Sequence, residues 1–509
     1  MPKLFQQKKY QLLLVAILTV LGYINILPNQ LVLDDTSFIT DWEQIRSFKN
    51  LPDLLTGNVP QIHQGIYRPI RSVLYLIYYS LWGTNPFGYH LHSLAVHLVS
   101  TLLVYLIVKK LVEAGKITNS SLIPFLTALL FGLHPIHTES ITYIAASMEM
   151  TGVVFMLASF YFYQKARNFI ACAIFAVLAF FTYEMTVTLP LLIALYEFFI
   201  LQTPVKKLLR RGKRILGIFG LVASFFVIRI WILNIPLARG EYLGYSFYAT
   251  QLVMMKVYVM YITKLLFPVN LSYIQDLAPG FESFTTHYSN LQAIRNLNPF
   301  QIDILVSILI VFGLLFLAIK FRQRFRLFAF CVFWFFTSLL PVSYLFPQGI
   351  AISEKYTYIG SIGFCLLLAY LISRIDGKRY QFLGVTITTL LMIFYSYLTV
   401  SRNLDWKDPI TFWEKVARQH PQSSLAPYNL GIFYYHNQNF DQSIKNYQKA
   451  IDNEPRFWEA RFNLANILTQ MGDLATATQL YQSVLILNPG YTPAQERLKA
   501  LNLVRNRAK

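Results

Sequence analysis

Cysteine is nearly absent from this chain, with three residues, Cys172, Cys331 and Cys365, among 509. All three fall inside apolar runs, so there is no disulfide framework and no redox compartment to read from cysteine. Charge is scarce as well: 14% of residues are Asp, Glu, Lys or Arg, against 55% hydrophobic. Length alone would suggest roughly three soluble domains, but that balance places most of the chain in lipid, because runs of ~20 apolar residues recur with short polar gaps. Acid is the scarcer sign, giving a net charge of +19. Such an excess would fit a nucleic-acid binder only if it formed a continuous patch. About half of the basic residues instead sit in six short clusters between apolar runs: Lys3/Lys8/Lys9, Lys109/Lys110/Lys116, Lys165/Arg167, Lys206 to Arg214, Lys320 to Arg326, and Arg374/Lys378/Arg379. That spacing is the positive-inside pattern of a multispanning protein and speaks against nucleic acid. The first apolar run, Tyr10 to Leu27, lacks a small-residue cleavage site and is expected to stay as a helix.

With the basic clusters in the cytoplasm, spans are expected near residues 10–28, 91–108, 121–134, 141–163, 168–184, 187–203, 214–233, 302–320, 326–345, 357–374 and 381–400. Eleven crossings that start inside leave the C-terminal tail outside. Counting 251–269 as a twelfth would place the Lys320 to Arg326 cluster outside; with Lys256 and Lys264 in it, it reads as re-entrant or interfacial. The expected fold class is all-α, a polytopic helical bundle over 1–400 with 29–90 as its first external loop. The 134–140 turn, Glu184, the loop 234–300, the stretch 346–360 and the tail then share the external side.

Beyond Ser401 the composition turns soluble. YNLGIFYYHNQNFDQSIKNYQKAIDNEP (428–455) and FNLANILTQMGDLATATQLYQSVLILNP (462–489) superpose at a spacing of 34, which is the tetratricopeptide period. Full repeats are expected over 424–457 and 458–491, with a partial repeat before them and a capping helix after, together forming an α-solenoid over 401–509. Its concave surface suits a peptide or protein partner and names none.

Directly after the first apolar run comes QLVLDDTSFITDW, with adjacent Asp34 and Asp35. Two neighbouring carboxylates repel and are costly to desolvate, so membrane packing gives no reason for them. The alternative is a loop end where Asp caps a helix. Three more stretches join the pair on the external side: YRPIRSVLY (67–75) leading to NPFGYHLHSLAVH (85–97), GLHPIHTESITYIAASMEM (132–150), and TYEM (182–185). In this order, and followed by a repeat tail, the four resemble the transmembrane and tetratricopeptide-repeat-containing O-mannosyltransferases. More broadly they resemble the C-type glycosyltransferase superfamily, whose enzymes use polyprenyl-phosphate sugars. SEKYTYIGSIGF (353–364) and WKDPITFWEKVARQHPQS (406–423) are also similar to that family.

The resemblance implies a catalytic acidic pair at Asp34 and Asp35. It also implies a polyprenyl-phosphate sugar donor, with mannose as the sugar, and a polypeptide Ser/Thr acceptor held by the repeats. Two departures stand out: Ala146-Ser147 where the family usually has a basic residue, and Tyr183 where it often has Lys. The lack of disulfides and the short repeat array suggest a prokaryotic source, hence a plasma membrane; a eukaryotic source would mean the endoplasmic reticulum, with non-cytoplasmic repeats in either case.

The chemistry of such a transfer needs a base for the acceptor hydroxyl, which an Asp at the membrane surface can supply. It also needs cations to hold the phosphate leaving group, for which Arg68, Arg71, Arg229, Arg239 and Lys355 are the candidates. An acidic pair also suits Mg²⁺ or Mn²⁺, so base and metal ligand both stay open. His134, His137 and Glu139 read as a helix-end hydrogen-bond cluster, as substrate contacts or, less often, as a metal site. Glu149, inside a span, and Glu184, at a helix end, read as functional; Glu354 and Lys355 complete the substrate-binding set. Arg229 reads as a phosphate contact or a snorkelling side chain. Two other function classes compete, a membrane-anchored repeat scaffold and a transporter of lipid-linked sugars. The chain lacks two related halves with charges at mid-membrane, which disfavours the transporter. A scaffold has no use for acids gathered on one side.

Overall fold

The computed structural model describes residues 7–58, 66–117, 122–165, 168–238, 240–278, 281–282, 294–347, 352–375 and 378–507. Arg239 and residues 348–351 of the expected external stretch lie outside that set. The chain forms two compact units: residues 1–271 with 296–407, and residues 272–295 with 408–509. Both are helical, apart from a short antiparallel pair, Asp276–Ala278 with Phe281–Glu282, in the second.

In the first unit seven helices are long and apolar enough to cross a membrane: Lys8–Ile26, Pro86–Ala114, Ile144–Gln164, Lys213–Ile232, Ile302–Lys320, Glu354–Ser373 and Gly384–Asp405. They fall on seven of the eleven expected spans. The other four are shorter among the described residues. Leu122–Leu133, Phe169–Phe180 and Arg326–Val342 replace three, and Leu189–Leu195 followed by the π-helical turn Tyr196–Ile200 replaces the fourth. A 12-residue helix rises only ~18 Å, against a hydrocarbon core of ~30 Å. Leu122–Leu133 is buried from Ile123 onward, so its apolar run is that of a core helix enclosed by neighbours. Hydropathy alone does not separate these two cases. Phe247–Leu266, which carries Lys256 and Lys264, is a continuous helix outside the seven.

Local chemistry fixes the ends that matter. Pro69 and Pro86 each stand in the first turn of a helix, Pro69–Trp82 and Pro86–Ala114, where the missing N–H costs nothing. Asn85 caps the second through a 3.1 Å bond from the Phe87 N–H. Gly152 sits where a Cβ would come within 2.8 Å of Tyr183 Cβ. Only glycine lets the helix Ile144–Gln164 lie this close to the Thr182–Tyr183 segment. The helix Lys378–Asp405 runs without interruption past Ser401, so the change to soluble composition falls inside a helix.

The second unit contains the helix pairs Leu425–His436 with Phe440–Asn453 and Trp458–Gln470 with Leu474–Leu487, then Thr492–Arg507. Gly431 faces the Tyr447 ring so closely that a Cβ would stand 2.7 Å from it, and Ala465 packs with Tyr481 in the next repeat. These are the small-residue crossings expected of the 34-residue period.

Candidate active site: a cationic cluster beside an exposed aspartate

Five elements converge on one group of charges. Arg68 ends the loop before Pro69–Trp82 and makes no capping bond, which leaves its guanidinium to span two acids. It donates to Glu149 Oε1, and through Nε to Glu184 Oε2 at 2.5 Å. Arg71, nearly one turn further along, reaches Glu149 Oε1 at 3.4 Å. Arg229 pairs with Glu184 at 3.5 Å and donates to the Pro236 carbonyl at 3.0 Å. Lys355 Nζ lies 3.2 Å from Glu149 Oε2. Four cations thus face two carboxylates, and the cluster carries an excess of positive charge. Arg71, Arg229 and Glu149 form a buried floor; the side chains of Arg68, Glu184 and Lys355 remain 11%, 18% and 17% exposed and form the mouth. Burial alone would lower the pKa of Arg68, but Glu149 and Glu184 outweigh it and raise it, so the guanidinium is permanently charged. The buried Arg71 Nε and the hydroxyls of Tyr75 and Tyr183 have no hydrogen-bond partner among the described residues. The floor therefore keeps unused donors.

Tyr183, which stands where the family pattern has Lys, lays its ring against Arg68 at 5.2 Å from the guanidinium carbon. The departure exchanges a charge for a cation–π contact. Ser147, in the place of the other missing basic residue, shares a 2.6 Å bond with Ser93.

The two aspartates take different positions. Leu33 adopts φ 53, a left-handed conformation unusual for a branched residue. Beyond it Asp34 is exposed and Asp35 fully buried. Asp35 Oδ1 accepts from the Ala145 N–H at 2.8 Å and Oδ2 from the Val32 N–H at 3.2 Å, so Asp35 caps the helix Ile144–Gln164 from far away in sequence. Burial, with some help from Asp34, pushes its carboxyl up to about 8 against the opposing backbone bonds. Ala145 and Glu149 are four residues apart on that helix, so the N–H that Asp35 caps lies ~6 Å of helical rise from Glu149. Phe38 closes the link: Arg71 packs over its ring at 4.7 Å, and Tyr75 stacks on it at 5.6 Å. A chelating acidic pair for a divalent ion would need free oxygens from both residues. Each Asp35 oxygen accepts one backbone N–H and keeps a second lone pair.

The remaining sequence candidates lie elsewhere. His134 and His137 are fully buried with both ring nitrogens engaged. His134 bonds the Leu265 carbonyl at 3.0 Å and accepts from the Ile136 N–H at 3.2 Å. His137 bonds the Phe131 carbonyl and Ser361 Oγ, each at 2.8 Å. No ring nitrogen is left for a substrate, and the pair ties helix ends together. Glu139 accepts from Ser353 Oγ and, at 3.0 Å, from the Glu354 N–H. Burial and the neighbouring Glu354 push its carboxyl up to about 7. Glu354 faces away from the cluster, toward Lys264 and Arg402, each at 2.7 Å. The turn 353–356 thus joins two charge networks, with Glu354 in a closed one and Lys355 in the open one. Sequence reading missed Arg402, Phe38 and the Tyr183 contact. A lone Arg late in the apolar-to-soluble helix Lys378–Asp405 was the available signal for the first; for the others there was none.

The tetratricopeptide repeat family model matches residues 428–492. Over most of its length the chain is also similar to curated protein O-mannosyl-transferases. A Caenorhabditis elegans protein of that name is 26% identical over 88% of this chain and 63% of its own length. The human protein O-mannosyl-transferase TMTC3 is 24% identical over 95% of this chain and 56% of its own. The Drosophila melanogaster Tmtc3 protein is 22% identical over 96% and 60%. The chain therefore spans less than two thirds of the length of these relatives. All three are animal proteins and lend no support to a prokaryotic source.

Proposed function

We propose that this protein is an integral-membrane glycosyltransferase that moves a sugar, with mannose the first choice, from a polyprenyl phosphate to a polypeptide hydroxyl on the non-cytoplasmic face. One observation carries the reading: four cations around two carboxylates, with spare buried donors, at a helix whose first turn is capped by Asp35, the neighbour of the exposed Asp34. Relatives named for protein O-mannosyl transfer support the same class.

In this reading Asp34 accepts the proton of the acceptor hydroxyl as its oxygen attacks the anomeric carbon, and the sugar–phosphate bond breaks. The electron pair leaves on the phosphate oxygen, where the planar guanidiniums of Arg68 and Arg71 and the ammonium of Lys355 stabilise it. Glu149 and Glu184 hold those cations in register without neutralising them. Asp35 positions the pair by capping. The repeats present the polypeptide. An inert scaffold gives no reason to keep an excess of buried cations. The reading is tested by incubating purified protein with a panel of labelled polyprenyl-phosphate sugars and a Ser/Thr peptide. Mannosyl peptide and free lipid phosphate are the expected products, and a panel-wide absence of transfer would refute it.

A further inference from the structure

A cavity of about 810 Å³ lies away from the cationic cluster. It opens where several membrane helices end together. Gly115–Ile117 follow the C-terminus of Pro86–Ala114, Phe321–Phe325 link Ile302–Lys320 to Arg326–Ser338, and Leu367–Arg374 close Thr357–Ser373. Lys355 and Arg374 stand at opposite ends of the Glu354–Ser373 helix, about 28 Å apart at the helical rise. That distance approximates the thickness of a bilayer core. The cavity is therefore at the opposite membrane boundary from the cationic cluster, on the face that the positive-inside rule assigns to the cytoplasm.

Its composition is amphipathic. Phe199, Leu317, Phe328, Leu367 and Leu371 contribute to an apolar wall, and Lys116, Arg324, Arg326 and Arg374 supply cations. Among the described residues no acid lines it and none of the four cations is in an ion pair. Arg374 donates only to the Tyr370 hydroxyl, through Nε at 3.2 Å and Nη2 at 2.9 Å. Arg326 opens the helix Arg326–Ser338, whose N-terminus has no side-chain cap. Its first-turn amides add a further positive end to the same rim.

We propose that this cavity is a binding site for an anionic glycerophospholipid of the cytoplasmic leaflet, its phosphate held by Arg324, Arg326, Lys116 and Arg374 and an acyl chain lying on the apolar wall. An apolar wall without the cations would take any lipid. Cations without the wall would take any soluble anion. Only an anionic amphiphile satisfies both.

The test uses the full chain in mild detergent, with native mass spectrometry of added phosphatidylglycerol and phosphatidylcholine. The wild type should retain phosphatidylglycerol preferentially. The Arg324→Gln/Arg326→Gln variant should weaken that retention roughly 30-fold, as loss of two lipid-facing charges implies. Both positions lie on the surface or near it, and an unchanged melting temperature in phosphatidylcholine would show that the variant folds. A Phe328→Trp reporter in the full chain should be quenched by acyl-brominated phosphatidylglycerol and much less by the brominated choline lipid. Equal retention of both lipids, an unaltered preference in the double variant, or displacement by glycerol 3-phosphate at lipid-like concentration would overturn the proposal.

Discussion

Replacing Arg68 with Ala removes the one side chain that touches both acids of the cationic cluster. Breaking a buried ion pair by deleting one partner typically costs ~3–5 kcal/mol, because the other charge stays buried. Here the lower end applies. Glu149 keeps Arg71 at 3.4 Å and Lys355 at 3.2 Å, and Glu184 keeps Arg229 at 3.5 Å. A loss of ~3 kcal/mol is expected. Glu184→Gln in the Arg68→Ala background should then recover much of the stability, a coupling that a double-mutant cycle of melting curves in detergent would measure. Transfer should not recover with it. The double variant should still lack ~10²–10³-fold in turnover, the typical cost of one donor removed from a developing anion. Arg68→Lys keeps the charge but cannot offer two nitrogens in a fixed fork, so it should regain stability better than turnover. Wild-type turnover in Arg68→Lys, or strictly additive melting effects in the cycle, would refute this reasoning.

Three further outcomes follow from other parts of the molecule. Gly152→Val should push the Ile144–Gln164 helix away from Tyr183, where even a Cβ would sit 2.8 Å away, and lower both stability and transfer; a melting temperature like that of wild type would show that the contact gives way easily. Asp35 and Glu139 both bind a proton more tightly when folded, with carboxyls pushed up to about 8 and about 7, so stability should fall as pH rises from about 4 through about 8. Asp35→Asn keeps an oxygen for the Ala145 N–H and removes one of the two titrations, so it should flatten that slope, and an unaltered slope would contradict the burial argument. Gly431→Val should unfold the first full repeat against Tyr447 and reduce transfer to a large polypeptide more than to a short peptide; equal losses would mean that the repeats serve folding alone.

Periodicity in the sequence was enough to place the repeats, because each 34-residue unit shows its small-residue crossing directly, as Gly431 and Ala465 do. It was also enough to locate seven membrane-length helices. For shorter apolar runs such as Leu122–Leu133, buried by protein on all sides, hydropathy does not separate a span from a core helix. The candidate site was legible as residue types on one side of the chain: Arg68, Arg71, Glu149, Glu184, Arg229 and Lys355 do meet. Of the readings open for the histidines of HPIHTE, the structure favours the hydrogen-bond cluster, with ring nitrogens bonded to backbone groups and Ser361. Nor could the sequence tell Asp34 from Asp35. Their split depends on a single left-handed residue, Leu33, and on a helix N-terminus 110 residues away.

The central claim, that Asp34 is the base of a glycosyl transfer, is tested most directly by the turnover of Asp34→Asn with labelled polyprenyl-phosphate mannose and a Ser/Thr peptide. Asp34 is exposed, and the substitution removes a charge beside the buried Asp35, so folding should survive and donor binding should persist. Turnover should drop ~10²–10⁴-fold, the usual worth of general-base catalysis. Turnover near that of wild type would contradict the account and leave the aspartate pair as a helix cap with an exposed neighbour.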